Sequence, residues 1–347
     1  MDWSVFGQMP WISYTCRLHL KISRGSTVTL LKFAFIFVLV IPWLLSCGAK
    51  EENSVEEPAS MANVVEVRAI YDTENNLHLF ETDTQTIPSG WTTIRLINAS
   101  PMVHFLFLDH LPGERTSKEL MSEVSPIFQQ ASDLIAKGRV EEGNAIFSEL
   151  PTWFSDLVFR GGPGYVSPGQ TTEVTLFLTP GNYVMECYIK TADGIFHWNL
   201  GMYADLLVTN EESTGKPPTS STLKLTTSDQ GIEFEGNPTP GEHMVAVHFQ
   251  QETPTLVAHD VQLVRLEEDS DFEEIVNWLD FMQPTGLIST AESPAPAVFL
   301  GGVHEMPMGN VAYFPVTLTP GEYAWISEQP IANAAYVKFS VPAFSKD

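Results

Sequence analysis

The chain has 347 residues, with 43 Asp and Glu against 18 Lys and Arg and a formal net charge of −25. Such a balance repels phosphate backbones and anionic head groups, so it excludes nucleic acid as a partner and charged lipid as a docking surface. Three cysteines are too few for a disulfide framework, and the length suits two ordinary domains.

Taken in chain order, residues 1–47 read as a signal and not as fold. Arg17, Lys21, Arg24 and Lys32 precede an apolar run at 33–45, which stops at Leu44-Leu45-Ser46-Cys47. A basic flank, a short apolar core and a small residue before the cut are the features of a secretory signal peptide. The run is short for a membrane span, and an uncleaved anchor is the alternative. Leu-Leu-Ser-Cys also resembles the lipobox of bacterial lipoproteins. That resemblance implies lipidation at Cys47 and a lipid-anchored place in the bacterial cell envelope. With Gly48 following Cys47, it implies the periplasmic face of the outer membrane, the lipid being the sole membrane contact. Residues 48–62 are acidic and lack an apolar period, as a flexible tether does.

Past the tether, TTIRLINA (92–99), EVTLFLTP (173–180) and YADLLVT (203–209) alternate or run apolar over strand-like lengths. Residues 117–150 hold enough helical pattern for two helices. Pro180-Gly181 is a tight turn feeding a strand over 183–187. A polar, proline-bearing stretch at 210–221 reads as a linker. Beyond it, MVAVHFQ (244–250), AYFPVTLTP (312–320) and YVKFSVP (336–342) predict strands again. DFEEIVNWLDFM (271–282) sets Phe272, Ile275, Val276, Leu279 and Met282 on one helical face.

These elements repeat. Residues 158–183 align without a gap on 298–323, with ten identities including the Gly-Gly pair and Leu-Thr-Pro-Gly-x-Tyr. HFLFLDHL (104–111) matches HDVQLVRL (259–266) more loosely. The expected organisation is therefore two homologous domains, 63–209 and 222–343. Each is a mainly β, antiparallel sandwich with a helical insertion.

One stretch carries metal-capable chemistry. In MECYIKTADGIFHWNLGM (185–202), Cys187 ends a strand, His197 sits in the following loop and Met202 starts the last strand of its domain. In a sandwich, strand ends remote in sequence meet at one pole, so His104 can join them. Thiolate, imidazole and a weak thioether suit both oxidation states of copper. The arrangement resembles the cupredoxin family of blue-copper domains. The resemblance implies a Greek-key sandwich and one type 1-like copper. Its ligands would be His104, Cys187 and His197, with Met202 as the long axial contact. It further implies an Asn98 that supports the first histidine, and electron transfer with a redox protein partner. Most small cupredoxins leave two to four residues between the cysteine and the second histidine. This loop leaves nine, as long loops do in copper nitrite reductases.

The second copy has Ser327 where the first has Cys187, and only His259 remains of the pattern, so it is expected to bind no copper. The catalytic copper of nitrite reductases takes a histidine directly before the cysteine, and here that residue is Glu186. The His-Cys-His of multicopper oxidases is absent as well. The expected function is a carrier and not an enzyme. The alternatives are copper handling without electron transfer, or a metal-free scaffold.

Overall fold

A computed structural model describes residues 63–251, 259–281, 283–328 and 336–343 of the chain. The signal peptide, Cys47, the tether and Met282 lie outside the described residues.

The first half is built from β1 (Asn63–Asp72), β2 (Leu77–Glu81), β3 (Thr86–Asn98), β4 (Phe107–Leu111), β5 (Val158–Phe159), β6 (Thr171–Leu178), β7 (Gly181–Glu186) and β8 (Tyr203–Glu212). One layer runs β2-β1-β3-β6 and the other β8-β7-β4-β5, joined where the start of the long β3 pairs with β8. Alternation explains the strands. In β6, Val174, Leu176 and Leu178 are buried while Phe177 points outward.

The second half repeats the pairing with β9 (Leu223–Ser228), β10 (Gly231–Gly236), β11 (Gly241–Phe249), β12 (Val261–Leu266), β13 (Val298–Val303), β14 (Val311–Leu318), β15 (Gly321–Ile326) and β16 (Tyr336–Val341). Its layers run β10-β9-β11-β14 and β13-β12-β15-β16. The mainly β class with helical insertions is the one observed. In the first half, α1 (Ser117–Glu119) opens on a capping box between Thr116 and Glu119. It leads through a π turn into α2 (Ser125–Ala136), and α3 (Val140–Ile146) follows. In the second, α4 (Phe272–Leu279) starts at Asp271, whose carboxylate accepts from the Glu273 and Glu274 amides, and it buries Ile275, Trp278 and Leu279.

The shared Leu-Thr-Pro-Gly-x-Tyr motif has a local cause. Tyr183 Oη donates to the Thr179 carbonyl at 2.8 Å, and Tyr323 Oη to the Thr319 carbonyl at 2.9 Å, locking each turn to its strand. The turn glycines, Gly181 and Gly321, sit at φ 151° and 154°, which residues with a Cβ rarely adopt.

The aligned Gly-Gly loops meet each other. Gly161 N donates to Glu305 O, His304 N to Gly162 O, Gly164 N to Gly302 O and Gly301 N to Tyr165 O, at 2.8–3.2 Å. Pro163 pairs with Val303, the residue aligned with it, as a local twofold requires.

Candidate metal centre

The hairpin, the loop after β3 and the loop after β7 bring their ends to one pole of the first half. Asn98 fixes the second of these. Its Nδ2 donates to the Met102 carbonyl at 2.7 Å and the Val166 carbonyl at 2.9 Å, and its Oδ1 accepts from the Ser100 amide at 3.1 Å. His104 then exchanges backbone hydrogen bonds with Val166, so its ring enters the pole from a pinned backbone. Asn98→Ala is expected to cost about 2–4 kcal/mol, because buried carbonyls lose their donors. Urea unfolding measures this, and copper titration should show weaker binding.

Of the four expected ligands, the structure brings His104 and Cys187 into contact, with Cys187 Sγ 3.6 Å from His104 Nδ1. Two donors sharing one metal at ordinary S and N bond lengths lie about 3.6–3.8 Å apart, so the separation fits a shared ion. His197 follows on a 3-10 turn, His197–Leu200, its ring centroid 5.1 Å from that of His104. Met202 is joined to the group by backbone: its amide donates to His197 O at 3.1 Å, and its carbonyl accepts from Cys187 N at 3.2 Å. All four are fully buried.

A further histidine belongs here that the sequence reading missed. His78, on β2, stacks on His197 with ring centroids 3.6 Å apart and planes at 12°, and Tyr71 stacks on its other side. His78, His104 and His197 offer ligand nitrogens within 4.8 Å of one another. Cys187 is not part of that group and reaches the pole through His104. The alternation of NLHLFE after the Glu-Asn-Asn turn could have revealed His78, since His78 and Phe80 are the inward residues of β2. In the second half Thr227 takes the place of Ala69, so Ile232 opposite it matches Phe80, and the chain turns at Asp229 and Gln230 where the first half has Tyr71 and His78.

The electrostatics follow from burial. Desolvation holds His104 and His197 well below the usual imidazole range, with the neighbouring histidines adding to it, and lowers His78 to about 4. Neutral imidazoles are the ligating form. Burial pushes the Cys187 thiol up to about 12, opposed by backbone hydrogen bonds from Phe105 and Ile189. His104 Nε2, both His197 nitrogens and His78 Nδ1 are buried without a hydrogen-bond partner among the described residues. An imidazole left unpaired in a dry pole is costly, and a metal ion resolves that cost. The donor set fits copper. Phe196 and Trp198 on either side of His197 are buried, and Leu200 half-buried, so the loop closes the pole against water.

Glu186, the residue before Cys187, turns away from the pole. Together with Asp109 it lines a cavity of about 40 Å³ walled by Phe107, Phe128, Phe159 and Trp198. Burial pushes Asp109 up to about 8 and Glu186 well above the carboxylate range, Glu186 further because of Asp109. Folding thus favours the protonated acids, and stability should fall as pH rises from the ordinary Asp value towards about 8. In Asp109→Asn that fall should flatten by up to about 1.4 kcal/mol per pH unit. Urea midpoints at pH 5 and 7.5 measure it, and parallel slopes in both proteins would refute it.

Among the described residues His259, the counterpart of His104, stands in no such group: its Nε2 lies 3.1 Å from Asp229 Oδ1. Ser327, the counterpart of Cys187, donates to Asp260 Oδ1 at 2.6 Å.

No protein-family model matches the chain, and no curated protein does. Among solved structures it is similar to a multicopper oxidase, at 12% identity and TM-score 0.22 over 80% of this chain and 88% of that one. It is similar to the dithionite-reduced auracyanin of Roseiflexus castenholzii, at 16% identity and TM-score 0.25 over 43% of this chain and 98% of that one. A Cu-containing nitrite reductase from Thermus scotoductus shares 14% identity at TM-score 0.21, over 82% of this chain and 62% of that one. These neighbours are cupredoxin-type proteins. At such identities and TM-scores they assign no role to any residue here, and the site stands on its own distances and burial.

Proposed function

We propose that the chain is a copper-binding electron-transfer protein whose first half holds one type 1-like copper through His104, Cys187, His197 and Met202. The observation that carries this is the buried Cys187 thiol 3.6 Å from His104 Nδ1, in a pole of unpartnered imidazole nitrogens. A bound copper would supply a centre that gains and loses one electron. The protein's part is to hold its ligands still and dry. Asn98 pins the His104 loop, and the backbone amides of Phe105 and Ile189 stabilise the sulfur as thiolate. His78 stacked on His197 fixes that ring's plane. Phe196 and Trp198 exclude water, which keeps the ligand shell from rearranging.

The reading extends to the ends of the chain. Domains 63–209 and 222–343 would form a tandem cupredoxin-like repeat, the second without copper, joined by the 210–221 linker. The chain would be lipidated at Cys47, with a redox protein as partner. A carrier agrees better than an enzyme with Glu186 in the place before Cys187.

One observation favours a second reading. The three-histidine group excludes Cys187 and could hold a metal by imidazole alone, as a copper-handling protein would. Copper titration of the full chain separates the two. Under the first reading an intense thiolate-to-copper band appears, is lost in Cys187→Ser, and survives in His78→Phe. Loss of metal in His78→Phe with binding intact in Cys187→Ser would establish the second.

A further inference from the structure

A second set of metal-capable side chains lies outside that pole. Asp260 precedes β12, His304 follows β13 and Glu328 follows β15. All three are buried, and their ligand atoms lie within 4.8 Å of one another. The meeting of the two Gly-Gly loops sets them beside the first half. His304 belongs to the ladder through its amide, which donates to Gly162 O. Glu328 accepts from Tyr188 Oη at 2.9 Å, and Tyr188 is the residue aligned with it in the first copy.

The hydrogen bonding is lopsided in a way that calls for a cation. Asp260 is held from three sides: Oδ1 accepts from the Ser327 hydroxyl at 2.6 Å and the Glu328 amide at 2.9 Å, and Oδ2 from Gln262 Nε2 at 2.7 Å. A carboxylate has about four acceptor positions, so three donors leave one. Neither nitrogen of His304 has a partner among the described residues; Glu328 Oε1 has none at full hydrogen-bond geometry, although the Tyr165 hydroxyl lies beside the carboxylate. The His304 ring lies among Phe105, Phe107 and Tyr165, with centroids 4.6, 4.8 and 5.8 Å away. The nearby ammonium of Lys190 donates to the carbonyls of Phe281 and Gln283.

Two buried carboxylates could instead share a proton. That arrangement satisfies one oxygen and leaves the imidazole unpaired, at about 1–3 kcal/mol for the lost partner. A divalent ion would take the remaining position on Asp260, Glu328 Oε1 and one His304 nitrogen together. Its two charges neutralise two carboxylates in a place where uncompensated charge is costly. We infer that Asp260, His304 and Glu328 form a second buried divalent-metal site of carboxylate and imidazole donors. Tyr188 orients Glu328, and Gln262 and Ser327 orient Asp260. With two oxygen ligands and no sulfur, the set suits Zn²⁺ or Mn²⁺ over Cu⁺. The site does not depend on copper at the first pole, although Tyr188 follows Cys187 and Phe105 follows His104 directly in the chain.

The test uses the full chain refolded with Zn²⁺ alone. Crystals measured on either side of the zinc absorption edge should show an anomalous peak bonded to Asp260, His304 and Glu328. Native mass spectrometry should count one zinc fewer in Glu328→Gln than in wild type. Tyr188→Phe should weaken that zinc about ten- to a hundredfold, as loss of an orienting partner does. Near-UV circular dichroism confirms that both variants fold. No peak at these three residues, or an unchanged zinc count in a folded Glu328→Gln, would overturn the site. Copper binding at Cys187 is read separately by its visible band, so either site can fail alone.

Discussion

Replacing Cys187 with serine is expected to abolish the intense visible band of the copper-loaded chain while leaving its fold intact. The sulfur is fully buried, touches His104 Nδ1 and receives backbone hydrogen bonds from Phe105 and Ile189. Serine offers a harder, poorly ionising oxygen in its place, and copper affinity should drop more than about a hundredfold. The fold should tolerate the change. Its own second half carries Ser327 at the equivalent strand end, fully enclosed and hydrogen-bonded to Asp260. A stability loss within about 2 kcal/mol follows, the range of an ordinary polar substitution in a core. A band of unchanged intensity in the serine variant would show that the sulfur is not a ligand.

Gly162→Ala should give a large loss of stability. Gly162 lies at φ 118°, beyond even the left-handed region that residues with a Cβ visit at a cost. A Cβ there would land on the carbonyl oxygen of Leu106, in the backbone that follows His104. Neither group can rotate away, since Leu106 N donates to Pro163 O at 3.0 Å and holds the two segments together. Strain and overlap together should cost more than about 4 kcal/mol, a fall in Tm of at least roughly 10 °C at this size. Gly302→Ala should behave alike, because its Cβ would land on the Val261 carbonyl at φ 145°. Gly138→Ala is the control: its φ is 75° but nothing lies near the added carbon, so about 1 kcal/mol is expected. Thermal unfolding of the three variants decides it. A Gly162→Ala protein as stable as Gly138→Ala would contradict the close approach.

Much of this architecture is written locally and could be read without coordinates. The Pro-Gly turns, the alternation in β6 and β14 and the helical stripe of α4 each depend on a few neighbouring residues. The candidate loop could be picked out in the same way, since Cys187, His197 and Met202 share one stretch. His104 needed only the rule that strand ends of a sandwich meet. Features that depend on pairing between distant segments were not readable. The alternation of residues 76–81 marks His78 as an inward residue of its strand, but the pole it faces is set only when β1 is laid parallel to β3. Residues 63–67 of β1 meet residues 92–96 of β3, a register that no nearby residue dictates. The cluster of Asp260, His304 and Glu328 was hidden for the same reason. Its members come from three loops, and the Gly-Gly ladder that gathers them joins residues 136 to 144 positions apart. Glu328 in particular looks like an ordinary surface acid in its stretch, yet it is fully buried against Tyr188.

Thiolate ligation in the first half is tested most directly by X-ray absorption at the copper edge on the full chain loaded with one equivalent of copper. The account predicts a shell of two imidazole nitrogens and one short sulfur from Cys187, the sulfur disappearing in Cys187→Ser. A shell of imidazole nitrogens without sulfur would contradict it and move the metal to His78, His104 and His197.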